Sequence, residues 1–130
     1  LAALLHVRER VGVLELDCEA LHRLRPTIAP FVPPSAFPAI SRDIAPRVAE
    51  AVPYAVIRDA ICEAAGPLLE DVTLVDVYTG DPLPEGVRSL TVSLKLRSSA
   101  RTLTEDDAEH ILAAVRDRLR NGLGASFPGD

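Results

Sequence analysis

The side chains best suited to chemistry lie on one side of two short runs. From Ser89 to Arg97, leucine or valine occupies every second position, and hydroxyl or cationic residues lie between them. In residues 72–78 the same alternation places three side chains on the polar side: Leu74, Asp76 and Tyr78. A face that carries hydroxyls, a carboxylate, a ring and cations can bind a flat polar object such as a nucleic-acid base.

Both runs are predicted strands of one hairpin. Successive side chains of a strand point to opposite faces, so strict alternation predicts a half-buried strand rather than a helix. The polar side of the later strand consists of Ser89, Thr91, Ser93, Lys95 and Arg97, and the apolar side of the earlier strand consists of Val75 and Val77. The glycines and prolines of residues 80–86 are typical of a hairpin loop.

Two helices are predicted around the hairpin. The first begins near Pro53 and ends at Gly66, and its apolar stripe consists of Val56, Ile57, Ala60, Ile61 and Ala64. The second begins at Thr104, with Asp107 as its capping-box partner, and ends at Gly122. Its predicted core positions are Ala108, Ile111, Leu112, Val115 and Leu119.

Two further strands, residues 43–48 and 125–127, complete the pattern. The order strand, helix, strand, strand, helix, strand predicts an α+β, ferredoxin-like βαββαβ fold. Its four-stranded antiparallel sheet would carry two helices on one face and leave the other face open. Pro46 conflicts with this topology, because central strands avoid proline. Either its missing N–H points to a frayed edge, or a bulge lies there.

Composition indicates an ordinary globular protein. Hydrophobic residues make up 48% and charged residues 25% of the 130 residues, which suffices for one folded domain. No apolar run approaches the roughly 20 residues of a membrane span, and no signal peptide is visible, so we expect a cytoplasmic location. Because the chain begins at Leu1 and contains no Met, we expect a piece of a longer protein. Cys18 and Cys62 are expected to be reduced and partly buried.

A proline-rich stretch, residues 25–37, marks the predicted domain boundary, because such a stretch is stiff and extended. Before it, residues 11–17 have the pattern of a strand and residues 18–23 that of a short helix. We therefore expect residues 1–36 to be the remnant of a preceding domain plus a linker, and residues 37–130 to be the folded domain. His6, His22 and His110 show no ligand spacing.

Four separated motifs together resemble one protein family. They are Phe37-Pro38-Ala39-Ile40-Ser41-Arg42-Asp43-Ile44-Ala45, Asp76-Val77-Tyr78-Thr79-Gly80, Pro84-Glu85-Gly86 with Ser89-Leu90, and Arg101-Thr102-Leu103-Thr104. In this order and spacing they resemble the C-terminal ferredoxin-fold anticodon-binding domain of bacterial phenylalanyl-tRNA synthetase β subunits. Residues 11–21 resemble the last strand and helix of the preceding synthetase-like domain of that subunit.

The resemblance implies a tRNA-binding module. In the family this domain docks on the anticodon stem-loop of the cognate tRNA, within an enzyme of two α and two β subunits. That enzyme uses ATP and magnesium to activate phenylalanine, and its active site lies in the α subunit. This chain is therefore expected to carry no catalytic residue, cofactor or metal, and to have tRNA and the α subunit as partners, with no DNA and no membrane.

The resemblance also places the RNA contacts. By position they fall on Ala45, Asp76, Tyr78 or Thr79, and Ser89, and the alternation independently puts Ala45, Asp76, Tyr78 and Ser89 on the open side. Asp76 would accept hydrogen bonds from a guanine, and Tyr78 would stack on a base. Ala45 would leave room for a base plane, and Ser89 would donate or accept.

Charged residues supply the remaining expected contacts. These are Arg42, Arg47 and Lys95, beside Thr91, which shares the open face. Together with Arg97, we expect these three cations to cluster on or near the open face. The family's last strand usually ends in a Leu-Arg pair, whereas this chain has Ser126-Phe127-Pro128 at that point, so Phe127 either stacks on a base or packs in the core. The net charge is −5, whereas free-standing RNA binders are usually basic. We therefore expect weak binding alone and reliance on a larger enzyme.

Simpler interpretations stay open. Asp76 is then a solvated strand residue, Tyr78 a residue at the core rim, and the run Arg116, Arg118 and Arg120 a solvated helix end. A ferredoxin-like regulatory or dimerisation module is the competing function; it would need an apolar open face, where Leu74 is the large aliphatic residue expected. No phosphate loop or nucleophile elbow supports an independent enzyme.

Overall fold

The computed structural model describes residues 12–24, 31 and 33–129, and the chain divides into two compact units, residues 1–33 and 34–130. The described part of the first unit contains α1 (Cys18–Leu24), no side chain of which is buried. The carboxylate of Asp17 caps this helix by accepting hydrogen bonds from the backbone N–H groups of Glu19 at 2.9 Å and Ala20 at 3.1 Å. The strand predicted at residues 11–17 is wrong for residues 12–17, which have no regular secondary structure. The positions outside the described residues include His6, Val11, Pro26 and Pro30.

The second unit contains the sheet and two longer helices. In chain order its elements are β1 (Ile40–Ile44), β2 (Arg47–Ala49), α2 (Tyr54–Ala65), β3 (Leu69–Tyr78), β4 (Val87–Leu96) and α3 (Glu105–Leu123). A 3₁₀ turn (Gly66–Leu68) leads from α2 into β3. All strand pairs are antiparallel, which confirms the predicted ferredoxin-like α+β fold.

Strand β4 forms the centre of the sheet. It pairs with β1 and β2 along one edge and with β3 along the other. Four alternate residues of β4 are fully buried: Leu90, Val92, Leu94 and Leu96. They share one core with the helix residues Ile57, Ala60, Ile61, Ala65, Ala108, Leu112, Val115 and Leu119. Because both helices contribute to one core, they lie on the same face of the sheet, and no helix of residues 34–129 covers the other face.

Capping residues set the helix ends largely as predicted. The Thr104 hydroxyl accepts a hydrogen bond from the Asp107 N–H at 3.2 Å, and the Asp107 carboxylate accepts one from the Thr104 N–H at 2.8 Å. Gly66 ends α2 with a φ of 62°, which glycine adopts without strain. The predicted stop at Gly122 is wrong, because Gly124 is the glycine that adopts positive φ and ends α3.

Two residues of α2, Val56 and Cys62, are more exposed than the sequence predicted. Val56, predicted in the apolar stripe, is 45% exposed, because it lies about 100° around the helix from the buried Ile57. Cys62 lies on the same helix, and both it and Cys18 are free thiols that are exposed rather than partly buried.

Pro46 interrupts the first strand without displacing it. The pairs on its two sides are Ile44 with Val92 and Arg47 with Ser89. Because these two pairs follow the same register, neither strand has an extra residue between them, and there is no bulge at Pro46. The Pro46 carbonyl accepts a hydrogen bond from the Leu90 N–H at 3.0 Å, so the missing N–H faces β4 rather than an edge. Both explanations offered from the sequence, a frayed edge and a bulge, are therefore wrong, and the ladder simply lacks one bond.

Strand β3 contains a β-bulge that corrects the prediction for Leu74. The register shifts by one residue between Leu74 and Asp76, so Val75 has no partner of its own in β4. Leu74 lies opposite the buried Val92 and packs against the core, so its predicted place on the open face is wrong. Val75, predicted on the apolar side, is 60% exposed. The bulge absorbs the mismatch in alternation, so Asp76 and Tyr78 still reach the open face.

The predicted last strand is reduced to one bridge. The Arg47 N–H donates to the Ser126 carbonyl at 2.8 Å, and the Ser126 N–H donates to the Arg47 carbonyl at 3.0 Å. Ala125 and Phe127 on either side are buried. Phe127 is therefore a core residue, and the alternative that it stacks on a base is wrong. Pro128 follows and has no N–H with which to continue the ladder.

Candidate nucleic-acid interface

Two adjacent rows of side chains cross the open face of the sheet. Residues that lie opposite each other in antiparallel strands point to the same face. The first row is Arg47, Ser89 and Tyr78. The second contains the pair Thr91 and Asp76, and Ala45 falls opposite Thr91 because the pairs Ile44–Val92 and Arg47–Ser89 on either side share one register. In each row the middle residue belongs to β4. We call these six residues the platform, and neighbours within it lie about 5 Å apart along a row and about 7 Å apart between rows.

Tyr78 presents its ring at the end of the first row. The side chain is 47% exposed, and its hydroxyl donates a hydrogen bond to the backbone carbonyl of Asp81 in the loop after β3. Because strand and loop hold its two ends, the ring has little freedom left to lose when a flat ligand stacks on it. Thr79 is exposed, but it follows the last paired residue of β3 and lies outside the platform.

Asp76 and Arg47 are the two charged residues of the platform. Asp76 is exposed and Arg47 is half-buried. Within the described part of the chain, neither side chain has a hydrogen-bond or ion-pair partner. The Asp76 carboxylate can therefore accept two hydrogen bonds from a base edge, and the Arg47 guanidinium can donate to a phosphate.

The other predicted cations lie in different surroundings. Lys95 is on the open face, two rows from Thr91, and pairs with Glu70 at 2.8 Å. Arg42 lies on the helix-bearing face, because it shares the phase of the buried Ile44 in β1, and it pairs with Glu105 at the start of α3. Its predicted place on or near the open face is therefore wrong.

Comparison with known proteins identifies the family. A family model described as ferredoxin-fold anticodon binding domain matches residues 35–127. The chain belongs to this family. It is 43% identical over 127 residues to the phenylalanine–tRNA ligase beta subunit of Mycolicibacterium paratuberculosis, covering 93% of this chain and 15% of that protein. Over 118 residues it is 46% identical to the beta subunit of the same name from Corynebacterium jeikeium, covering 91% of this chain and 14% of that protein. The chain thus spans about 15% of the length of these relatives.

Beyond the platform, the open face of this anticodon-binding domain becomes acidic. The next two rows are Asp43, Ser93 and Thr73, then Ser41, Lys95 and Asp71. At their edge the Glu70 carboxylate pairs with Arg97 and Lys95, and these hydrogen bonds hold the pKa of Glu70 below its usual value. Within the described residues neither Asp43 nor Asp71 forms an ion pair, and the Asp71 carboxylate accepts a hydrogen bond from the Thr73 hydroxyl at 3.0 Å. We call these two rows the acidic half.

Three residues of the open face were not predicted from the sequence: two aspartates of the acidic half and a serine that extends the first row. Asp43, Asp71 and Ser126 share the open face with the platform. The signal was available, since the same alternation that selects Asp76 also selects these residues once strand bounds and the bulge are known.

Metal binding and membrane insertion find no support in the described residues. Among residues 12–24, 31 and 33–129, no three His, Cys, Asp or Glu side chains form a group that could hold a metal ion. Within these described residues, no helix has both the length and the apolar composition that are needed to span a membrane.

Proposed function

We propose that residues 37–130 form a module that binds the anticodon stem-loop of tRNA in a phenylalanine–tRNA ligase, through the platform. The observation that carries this proposal is that six of the nine predicted contacts lie in two adjacent rows on the face without helices: Ala45, Ser89, Thr91, Asp76, Tyr78 and Arg47. Together they offer a ring to stack on, a carboxylate and hydroxyls for base edges, and a cation for phosphate, which is what unpaired RNA bases require.

Each row has its own role. In the first row Tyr78 stacks on one base, a contact that contributes about 1–3 kcal/mol, while Arg47 contacts the sugar–phosphate backbone. In the second row the Asp76 carboxylate accepts hydrogen bonds from the Watson–Crick edge of a guanine, and Ala45 leaves room for the base plane. Ser89 and Thr91 donate or accept between the two bases, and Thr79 and Lys95 contact the RNA only where it extends past the platform.

We further propose that the parent protein is the β subunit of a cytoplasmic ligase with two α and two β subunits. Residues 1–36 would then be the end of its preceding domain and a linker. ATP and magnesium, which the parent reaction uses, would bind at an active site in the α subunit. This chain would bind and position tRNA, and no residue in it is assigned a catalytic role.

The decisive variant is Asp76→Ala in the complete ligase. Aminoacylation of wild-type tRNA is compared with that of tRNA altered at the first anticodon base. We expect the preference for the wild-type base to shrink about tenfold, because a hydrogen bond to a charged group contributes about 1.5 kcal/mol. Asp71→Ala is the matched control, since it removes the same side chain from the same strand and face but lies in the acidic half, and it should leave the preference unchanged.

Two results would contradict the proposal. An unchanged preference in Asp76→Ala removes this residue from base recognition. A concentration-dependent dimer that buries Asp76 would favour the regulatory or dimerisation alternative. That alternative needs an apolar open face, and Leu74, the apolar residue expected there, packs against the core instead.

A further inference from the structure

A cleft of about 370 Å³ lies beside the platform, at the edge of β1 that faces away from β4. Its walls come from Asp43 in β1 and the following Ala45, and from Arg116 and Arg120 in α3. Phe127, Pro128 and Gly129 complete the lining. We propose that this cleft binds a phosphodiester group of the RNA strand whose bases lie on the platform. The proposal rests on the proposed function and adds a phosphate site to it.

The edge of β1 supplies backbone donors to the cleft. Backbone groups alternate in direction along an antiparallel strand. The Pro46 carbonyl points to β4, whereas the backbone groups of Arg47 point the other way and pair with Ser126. The N–H groups of Asp43 and Ala45 share the direction of Arg47, and in the described residues no strand pairs with β1 on that side and no turn or loop bond to Ala45 is present. Unpaired N–H groups at a sheet edge are common ligands of phosphate.

Arg116 supplies the cation. It is half-buried, and within the described residues it has no hydrogen bond or ion pair. Its neighbours on the helix are engaged, since Arg118 pairs with Glu63 at 2.9 Å and Arg120 lies over the Phe127 ring at 5.2 Å. Because a half-buried charge is unfavourable without a partner, Arg116 is the group in this cleft that gains most from an anion.

The charge of the cleft selects the kind of phosphate. Asp43 also lines the cleft, and its negative charge repels a singly charged phosphodiester less than a doubly charged free phosphate. Ala45 belongs to both the platform and the cleft. A nucleotide whose base lies on the second row, beside Thr91, therefore has its phosphate within reach of Arg116 as the strand crosses the β1 edge.

The test compares Arg116→Gln with Arg118→Gln in the complete ligase. Equilibrium binding of cognate tRNA is measured over a range of salt concentrations. Arg116→Gln should weaken binding about tenfold and reduce the slope of log K against log salt by about 0.7, the value for one phosphate contact on a single strand. Arg118→Gln removes the same charge outside the cleft and should leave both quantities close to wild type.

A second variant separates binding from folding. Arg116→Lys keeps the charge and should therefore keep the salt slope, while it loses part of the affinity because lysine cannot donate a planar pair of hydrogen bonds. Thermal unfolding of all three variants shows whether the fold is intact.

The outcomes distinguish this proposal from the proposed function. If Arg116→Gln matches Arg118→Gln while Tyr78→Ala still weakens tRNA binding, the cleft proposal is wrong and the platform stands. If Tyr78→Ala has no effect, the platform itself is wrong. If inorganic phosphate stabilises the wild-type protein but not Arg116→Gln, and tRNA affinity is equal in both, the cleft is a free-anion site and the phosphodiester assignment is overturned.

Discussion

Tyr78 and Asp76 sit in neighbouring rows of the platform but are held differently. The Tyr78 ring is fixed by its strand and by the hydrogen bond from its hydroxyl to the Asp81 carbonyl, whereas no described residue is bonded to the Asp76 carboxylate. A fixed ring suits stacking, which depends on orientation, and a free carboxylate suits hydrogen bonding, which needs unoccupied lone pairs.

Tyr78 variants separate the ring from its hydroxyl. Tyr78→Ala should weaken binding of anticodon stem-loop RNA by the complete ligase about tenfold or more, because stacking on an aromatic side chain contributes about 1–3 kcal/mol. Tyr78→Phe keeps the ring and loses only the bond to Asp81, so its loss should be clearly smaller. Equal losses in the two variants, measured by equilibrium binding, would mean that the hydroxyl and not the ring contacts RNA.

The Asp107 carboxylate takes part in the N-terminal cap of α3, so the stability that this cap contributes depends on pH. Arg101 donates to its carboxylate at 2.6 and 2.8 Å, and the backbone N–H and hydroxyl of Thr104 donate as well, which together hold the pKa of Asp107 well below its usual range. A group whose pKa is lower in the folded state adds stability above its unfolded pKa of about 3.9, and this stability is lost as the pH falls below that value.

Thermal unfolding of the chain against pH tests this linkage. The melting temperature of wild type should exceed that of Asp107→Asn at pH 6, and the gap should narrow as the pH is lowered below about 4. Asp106→Asn is the control, because the Asp106 side chain makes none of these hydrogen bonds. A gap that stays constant with pH would show that the ionised form of Asp107 is not what the cap stabilises.

At the scale of elements, the bulge at Val75 takes one residue of β3 out of the alternation, and alternation then places Asp76 and Tyr78 on the platform. Without Val75 the order Leu74, Asp76, Val77, Tyr78 alternates regularly, with Leu74 and Val77 on the core side. Deletion of Val75 should therefore leave Asp76 and Tyr78 on the open face. It should change stability by only about 1 kcal/mol, since Val75 is 60% exposed and surface changes have small effects.

Deletion of Val77 is the matched control. It removes the same residue type from the same strand, but it forces either Asp76 or Tyr78 toward the core, which is costly for a carboxylate or disrupts packing. Urea unfolding and tRNA binding of both deletions check the prediction. Equal damage in the two variants would mean that the bulge, and not alternation, positions the platform.

The elements also show what the sequence could predict. Strict alternation in β4 and the cap at Thr104 are local signals. They were sufficient to predict the two faces of β4 and the start of α3. Alternation across residues 72–78 put Leu74 on the open face. This was wrong because simple alternation assumes that every residue of β3 has a partner in β4, and Val75 has none. Arg42 was misplaced because β1 begins at Ile40, before the predicted strand. Which of Gly122 and Gly124 adopts positive φ depends on packing after the helix, and no local signal decides it.

The site was predicted less completely than the fold. The residues of the platform came from alternation together with the family motifs, and the structure brings them together. The pairing of Lys95 and Arg97 with Glu70 was not predictable, because it depends on which residues of separate strands become neighbours. The cleft beside Arg116 depends in the same way on the packing of α3 against the β1 edge.

At the scale of the whole molecule, net charge and local charge differ. The chain carries a net charge of −5, which opposes a phosphate backbone at long range. The platform contains one cation and one carboxylate and is locally neutral, while the acidic half carries Asp43 and Asp71 against a single cation, Lys95, which is paired with Glu70. The RNA bases should therefore lie across the platform rows rather than on the acidic half, where no base contact offsets the repulsion.

This division predicts that removing an acidic-half charge strengthens binding without changing base preference. Asp71→Asn should raise the tRNA affinity of the complete ligase about twofold at low salt, because a unit charge about 10 Å from a phosphate contributes about 0.4 kcal/mol in water-like surroundings. The gain should disappear near 1 M salt, where the screening length falls to about 3 Å. Asp59→Asn removes the same charge from α2 on the helix-bearing face and should give a smaller gain. Equal gains from the two variants, in binding measured across a salt series, would show that only net charge matters and that the acidic half does not confine the RNA.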